Sequence, residues 1–429
     1  MKHRTILKTI GALAVAGVIT FAAPSDATAE LLADPPGRGH TFHHRVLWIE
    51  NPDTEAVLSW STREAGKDHV LYYDTVSRAG DVSAYANKTS TFKDGQFTMV
   101  EADKEWVRPA YYHHAHLTGL EPDTTYYVVF SSDGEPSKEF HFRTALAEDQ
   151  PFTMLAGGDS RIGGNDPYSH TDRQSMNMRL RELFESEPNV LGFVHGGDYC
   201  MRAEWRYLEP WLNDHELTTT GAGRLLPIIP ARGNHDMAIG YEEMFSWPDL
   251  KTPYYFTTRL SPTATVITLN TEISIAGDQR DWLESTLESV APDSRWIMAV
   301  YHRPAYSSVR NVQDGAPRRN SWVPLFERFN VNLAYESHDH ALKRTVPIRD
   351  SRIDLENGVT YIGDGGLGVP QRAPDPNRWW FDPPGFTKPA HHAHVIHFGE
   401  DQMHVRAIGI EREVLDDFVL SPRVVAVGQ

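Results

Sequence analysis

The chain has 429 residues, 40% hydrophobic and 23% charged, with a formal net charge of −17; that size suits two or three domains and that composition suits ordinary packed cores. The acidic balance argues against a nucleic-acid scaffold or an anionic-membrane binder, since both rest on Lys/Arg counter-charge. With Cys200 as its single cysteine the chain cannot form an internal disulfide, so stability must come from burial or from metal.

Taken in chain order, Lys2, His3, Arg4 and Lys8 precede an apolar run over 10–23, and Ala27-Thr28-Ala29 offers a small-x-small cleavage site. Residues 1–29 are therefore expected to be a signal peptide, with the protein exported, periplasmic or secreted, after cleavage near Ala29. The run is shorter than the roughly 20 apolar residues that cross a bilayer, and no later segment is longer, so no membrane span is expected. Residues 30–43, with Pro35-Pro36-Gly37, read as a linker.

Over 44–147, runs rich in β-branched and aromatic residues at 46–49, 56–61, 70–73, 111–117, 126–130 and 140–142 are separated by turn residues such as Pro52-Asp53, Pro122-Asp123 and Asp133-Gly134. This predicts an N-terminal all-β sandwich. Over 148–410 the pattern changes. Apolar runs at 152–156, 190–194, 225–229, 264–269, 296–300, 331–334 and 359–362 alternate with helical spacing at 176–184 and 278–290, which predicts a layered α/β domain. Residues 370–392 read as a long surface loop that includes Trp379-Trp380-Phe381, and 411–429 read as a C-terminal tail.

Five of the α/β runs end in polar clusters: Gly158-Asp159, Gly197-Asp198, Gly233-Asn234-His235-Asp236, His302, and His338-Asp339-His340. In open α/β sheets functional groups collect beyond the carboxyl ends of the strands, and a glycine before an Asp allows a sharp turn and a close backbone approach. Two Asp, one Asn and three His form a mixed oxygen and nitrogen donor set suited to Fe, Zn, Mn or similar ions. A carboxylate can bridge two such ions, and a pair of ions can clamp the attacking and leaving oxygens of a phosphoryl displacement. His113, His114 and His116 alternate along one strand, and His391, His392, His394 and His397 lie beside Val395, Ile396 and Phe398; both groups read as packing residues, and His195 reads as a strand-end residue.

The order and spelling of the five clusters resemble the calcineurin-like metallophosphoesterases. The segment His116 to Tyr127 resembles a strand corner of fibronectin type III modules, and the stretch around it the N-terminal module of purple acid phosphatases. The resemblance covers roughly 44–410 and implies a four-layer α/β metallophosphoesterase sandwich behind the β-module. It implies that Asp159 and His340 bind a first metal, that Asp198 bridges, and that Asn234, His302 and His338 bind a second. It further implies that His235 contacts the phosphate, that Asp236 orients His235 by accepting its ring N–H, and that a metal-bound hydroxide attacks a small phosphorylated substrate, a phosphomonoester by preference.

Two positions depart from the family pattern. Met201 stands where purple acid phosphatases place a metal-binding Tyr, and Arg161 stands where other calcineurin-like enzymes place a His. Tyr199, Cys200 and His170 are the candidate substitutes for the missing ligand of the first site. Arg161 suits either a bidentate phosphate contact or an ion pair with Asp159 or Asp198. Ser337 replaces a Gly before the final His pair. A PhoD-like diesterase or alkaline phosphatase, or a degenerate module that binds metal without activity, are the alternatives. Metal identity, ester class and oligomeric state stay open, and substrate choice is expected to rest on the loops at 199–224, 303–322 and 370–392.

Overall fold

The computed structural model describes residues 39–101, 103, 107–162, 171–363 and 365–422. The expected signal peptide, most of the linker, and His170 lie outside these residues.

Ten strands form one sheet in the order Val414–Leu420, Met403–Gly409, His392–Phe398, Phe152–Gly157, Val190–His195, Ile228–Pro230, Phe42–Leu47, Ala56–Thr62, Tyr111–Leu117 and Lys93–Gln96. Its middle is parallel: Phe152–Gly157 pairs with Val190–His195, which pairs with Ile228–Pro230. Strands buried on both faces read as continuous apolar runs, as 152–157 and 190–195 do. The sheet also crosses the expected boundary near 147, because Phe42–Leu47 pairs in parallel with Ile228–Pro230, placing Leu47 opposite Ile228. The other sheet of the β-module holds Asn87–Ser90, His69–Asp74, Thr125–Ser132, Glu135–Pro136 and Phe140–Arg143. At its strand corner the Tyr126 hydroxyl accepts from the Glu121 N–H at 2.8 Å, tying the turn back to backbone.

A seven-stranded sheet runs Phe256–Ser261, Ala264–Thr268, Trp296–Val300, Leu333–Tyr335, Thr360–Gly363, Leu342–Arg344 and Phe386–Lys388. Its side chains alternate with the strand period of two. Val266, Met298, Val300, Leu333, Tyr335 and Ile362 join the core shared with the ten-stranded sheet. Ile267, Ile297, Ala299, Ala334 and Tyr361 face Leu283 and Leu287 of the helix Asp278–Val290 and Phe326 of Val323–Arg328. The helix Thr171–Ser186 covers the other sheet against His392–Phe398 and Phe152–Gly157. Helix, sheet, sheet and helix give the four layers.

The segment 411–429 is not simply a tail. Val414–Leu420 pairs antiparallel with Met403–Gly409 after a tight turn in which the Gly409 N–H donates to the Glu413 carbonyl at 2.9 Å. Similarly, 199–224 holds the helix Trp205–His215, and 370–392 holds the strand Phe386–Lys388. Trp380 and Phe381 pack in the second core, and Trp379 is half exposed, so this aromatic trio is mainly packing.

Candidate metal centre

Both sheets aim the carboxyl ends of their parallel strands at one place. Asp159 follows Phe152–Gly157, Asp198 follows Val190–His195, and Asn234 and His235 follow Ile228–Pro230; His302 follows Trp296–Val300, and His338 and His340 follow Leu333–Tyr335. The turns that present them are tight. Asp159, Asp198, His338 and His340 have φ of 51°, 57°, 83° and 62°. For a non-glycine residue that conformation costs about 1–3 kcal/mol, and such strain concentrates at functional sites. The backbones approach closely: Asp159 N–H donates to the Gly197 carbonyl at 2.9 Å, and a Cβ on Gly196 would collide with Ser337 Oγ. A Cβ on Gly233 would occupy the space of the Asp198 carboxylate.

The donor atoms converge in two groups. In one, Asp198, His302 and His338 offer donor atoms all within 4.8 Å of one another. His302 Nε2 lies 3.3 Å from Asp198 Oδ1, 3.2 Å from Asn234 Oδ1 and 3.2 Å from His338 Nδ1. In the other, His340 Nε2 lies 3.2 Å from Asp159 Oδ1, an oxygen that is buried without a hydrogen-bond partner among the described residues. The rings are oriented from behind. His302 Nδ1 meets the Gly196 carbonyl at 2.9 Å, and His340 Nδ1 meets the Pro370 carbonyl at 3.2 Å. With Nδ1–H donating, each Nε2 keeps its lone pair for a cation, a common arrangement behind metal-ligating His. The donor chemistry, the partnerless Asp159 oxygen and the oriented imidazoles fit a centre for cations.

The electrostatics point the same way. Burial would lower the His302 imidazole, yet the Asp198 and Asp159 carboxylates push it up to about 10. Burial would raise Asp198, yet the His302 and His235 charges hold it well below the ordinary carboxylate range. Burial, helped by His302 and Arg310, depresses His338. The pocket thus concentrates negative charge and takes up positive charge as soon as a partner offers it.

The expected role of Asp236 is not the observed one. Its carboxylate accepts from the backbone N–H groups of Asp198 at 2.7 Å, Gly233 at 2.8 Å and Tyr199 at 3.2 Å, which fixes two ligand-bearing turns against each other. Burial and the nearby Asp198 raise its pKa. The ring of His235 is oriented instead by the Met201 carbonyl, which takes Nδ1–H at 2.6 Å and leaves Nε2 as the outward nitrogen, 3.8 Å from Asp198 Oδ2. A turn that begins Asn-His-Asp cannot point all three side chains one way, and Asp236 falls on the backbone side.

Two of the substitutes considered for the first site, Tyr199 and Cys200, are also elsewhere. Tyr199 is buried, stacks on His195 with ring centroids 3.9 Å apart, and donates its hydroxyl to the Ala231 carbonyl at 3.2 Å. Cys200 is buried, contacts the Arg202 carbonyl at 2.8 Å, and has a thiol pKa raised by burial above all. Neither side chain turns to the cluster. Arg161 lies beside it, with Nε 3.8 Å from Asp198 Oδ2 and Nη1 3.9 Å from Met201 Sδ.

Of the histidines read as packing residues, His113 and His114 are hydrogen-bonded within the β-module and its neighbours. His114 lies between Ser59 Oγ at 2.7 Å and the Glu243 carbonyl at 3.0 Å, and His113 between Asp94 Oδ1 and Thr62 Oγ1, both at 2.8 Å. His392 and His394 are buried within the ten-stranded sheet, and His195 Nε2 meets Ser160 Oγ at 2.9 Å.

Two carboxylates that sequence reasoning passed over hold the His302 and His338 loops together. Glu336 is fully buried; it accepts from Tyr301 Oη and Ala305 N at 2.6 Å each and from Lys343 Nζ at 2.7 Å. Asp339 accepts from Ser307 Oγ at 2.6 Å, Ser308 N at 2.5 Å and Val309 N at 3.1 Å. The sequence signal was the Glu-Ser-His-Asp-His spelling itself, in which Glu336 lies two residues before His338 and Asp339 lies between the two histidines.

Comparison with known proteins follows the two halves of the fold. Residues 42–144 match the model for the purple acid phosphatase N-terminal domain, and 169–342 match that for calcineurin-like phosphoesterases. An uncharacterised Mycobacterium tuberculosis protein is 26% identical over 384 residues, covering 75% of this chain and 69% of the relative. The Fe(3+)-Zn(2+) purple acid phosphatase 12 of Arabidopsis thaliana is 23% identical over 356 residues, covering 77% and 73%. Among solved structures, a purple acid phosphatase from yellow lupin (Lupinus luteus) seeds superposes with a TM-score of 0.74 at 17% identity, over 89% of this chain and 74% of that one. PhoD superposes with a TM-score of 0.64 at 11% identity, over 90% of each.

Proposed function

The chain is a calcineurin-like metallophosphoesterase resembling the purple acid phosphatases, and from that premise we propose that it hydrolyses phosphomonoesters at a centre of two metal ions. The observation that carries this reading is the convergence of Asp159, Asp198, Asn234, His302, His338 and His340 from five strand ends of two sheets. In the proposal Asp159 and His340 would hold one ion, Asn234, His302 and His338 would hold the other, and Asp198 would serve both. When bound, such ions lower the pKa of water and neutralise charge on a phosphoryl group.

The remaining roles belong to the chain. Gly196 and Pro370 carbonyls fix the ring planes of His302 and His340. Asp236 ties the Asp198 and Gly233 turns, so the ligand geometry is set before substrate arrives. His235 exposes about a quarter of its side chain and presents Nε2 outward while Met201 holds Nδ1–H. A proton on that Nε2, which lies 3.8 Å from Asp198 Oδ2, would pass to the leaving oxygen of the ester. Arg161, with its side chain largely buried beside Asp198, would donate to a phosphate oxygen.

No helix among the described residues is long and apolar enough to cross a membrane. Export after cleavage near Ala29 belongs to the same proposal.

The ester class is tested by comparing kcat/KM on an aryl phosphate and on the corresponding bis-aryl phosphate diester. The expected result is a preference for the monoester. A preference for the diester would replace this reading with a PhoD-like one.

A further inference from the structure

Arg310 and Arg372 come from two different loops and meet at one atom. Arg310 Nη2 donates to the His338 carbonyl at 3.4 Å, and Arg372 Nη1 donates to the same oxygen at 3.2 Å. Their two N–H groups fill the two lone pairs of that oxygen. Each group keeps further N–H donors, and neither is fully neutralised. The carboxylate nearest Arg310 is Asp339, whose Oδ1 lies 3.7 Å from Nε while Oδ2 is occupied by Ser307, Ser308 and Val309. Arg372 forms no ion pair with a carboxylate among the described residues.

The pair is built rather than loosely placed. Asp339 anchors the 307–309 turn, and Arg378 Nη2 donates to the Arg310 carbonyl at 2.6 Å. The Arg372 N–H donates to the His340 carbonyl at 3.0 Å. Both side chains remain partly exposed, Arg310 by 35%. In a chain of net charge −17, clustered guanidinium groups beside a cation centre are a local reversal of sign.

We propose that Arg310 and Arg372 form a second anion subsite, and that the preferred substrate is a phosphate ester carrying a second phosphate group. The inference rests on the phosphomonoesterase reading and narrows it. The reacting phosphate lies at the metal ligands, and the second sits in the fork of the two guanidinium groups, which match phosphate oxygens in planar, bidentate fashion.

The test uses the full-length, metal-loaded protein with a hexose bisphosphate and the matching hexose monophosphate. Calorimetry measures binding, and phosphate release measures kcat/KM. Charge-assisted hydrogen bonds of this kind change affinity by about tenfold or more. Wild type should favour the bisphosphate by at least about that factor in both measurements. In Arg372→Ala and in the Arg310→Ala, Arg372→Ala double variant the ratio should fall towards one, with metal content at the wild-type value; Arg372→Lys should retain part of it. Equal binding of both compounds by wild type, or a ratio that survives in the double variant, would overturn the proposal. If wild type hydrolyses neither compound, the phosphomonoesterase reading fails, and the binding ratio still decides the subsite.

Discussion

Asp198→Ala should strip metal from the protein and lower hydrolysis by about a thousandfold or more, well beyond the effect of Asp159→Ala. Metal-ion stabilisation of a phosphoryl transition state is worth several kcal/mol, and each 1.36 kcal/mol is a factor of ten. Asp198 has the position to matter most. Its Oδ1 reaches His302 Nε2 and also accepts the His235 N–H at 2.9 Å, while Oδ2 faces Arg161 and the His235 ring, both at 3.8 Å. Asp159 contributes to a smaller group among the described residues, its Oδ1 facing His340 Nε2 while its Oδ2 accepts the His338 N–H at 2.8 Å. Removing Asp198 also removes the charge that, against burial, raises the His302 pKa. Elemental analysis of both variants alongside their rates checks this. Equal loss of metal in the two would contradict a role for Asp198 at both ions.

His235→Ala should behave differently, lowering kcat by about 10²–10⁴-fold while leaving the metal-to-protein ratio at the wild-type value. The backbone explains the separation. It is the His235 N–H, retained in the variant, that holds Asp198 Oδ1, whereas the ring meets the Met201 carbonyl and the neighbourhood of Asp198 Oδ2. A ring that hands a proton to the leaving oxygen matters most when that oxygen is strongly basic. The defect should therefore shrink on aryl phosphates with good leaving groups and be largest on alkyl phosphates. Loss of metal in the variant would make His235 a ligand, and full activity on alkyl phosphates would remove it from the chemistry.

These roles differ in how far they could be read from the sequence. The donors were legible because each sits directly beyond an apolar run: Asp159 after 152–157, Asp198 after 190–195, His302 after 296–300. Strand ends of that kind are brought together by the sheet itself, so residue order alone locates them. The orienting group of His235 was not legible, because it is a backbone carbonyl 34 residues away, at Met201. Nor was the position of Asp236, whose neighbours His235 and Asn234 point away from it across a tight turn. The strand Val414–Leu420 escaped notice because it is a sheet edge with Asp416 and Asp417 in its middle, which breaks the apolar run without preventing pairing. Arg310 and Arg372 lie in loops without periodicity, and their common feature, the His338 carbonyl, exists only in three dimensions. The continuous sheet joining the β-module to the α/β layers depends on the parallel register of Leu47 with Ile228, which no local pattern announces.

The most direct measurement of metal-dependent ester hydrolysis is a titration of metal-stripped protein, with bound metal and aryl phosphate hydrolysis recorded in the same sample. The account predicts no hydrolysis in protein shown by elemental analysis to be free of metal, and a rate that rises with added divalent ion to a plateau at two ions per chain. Full hydrolysis by the metal-free protein would contradict it.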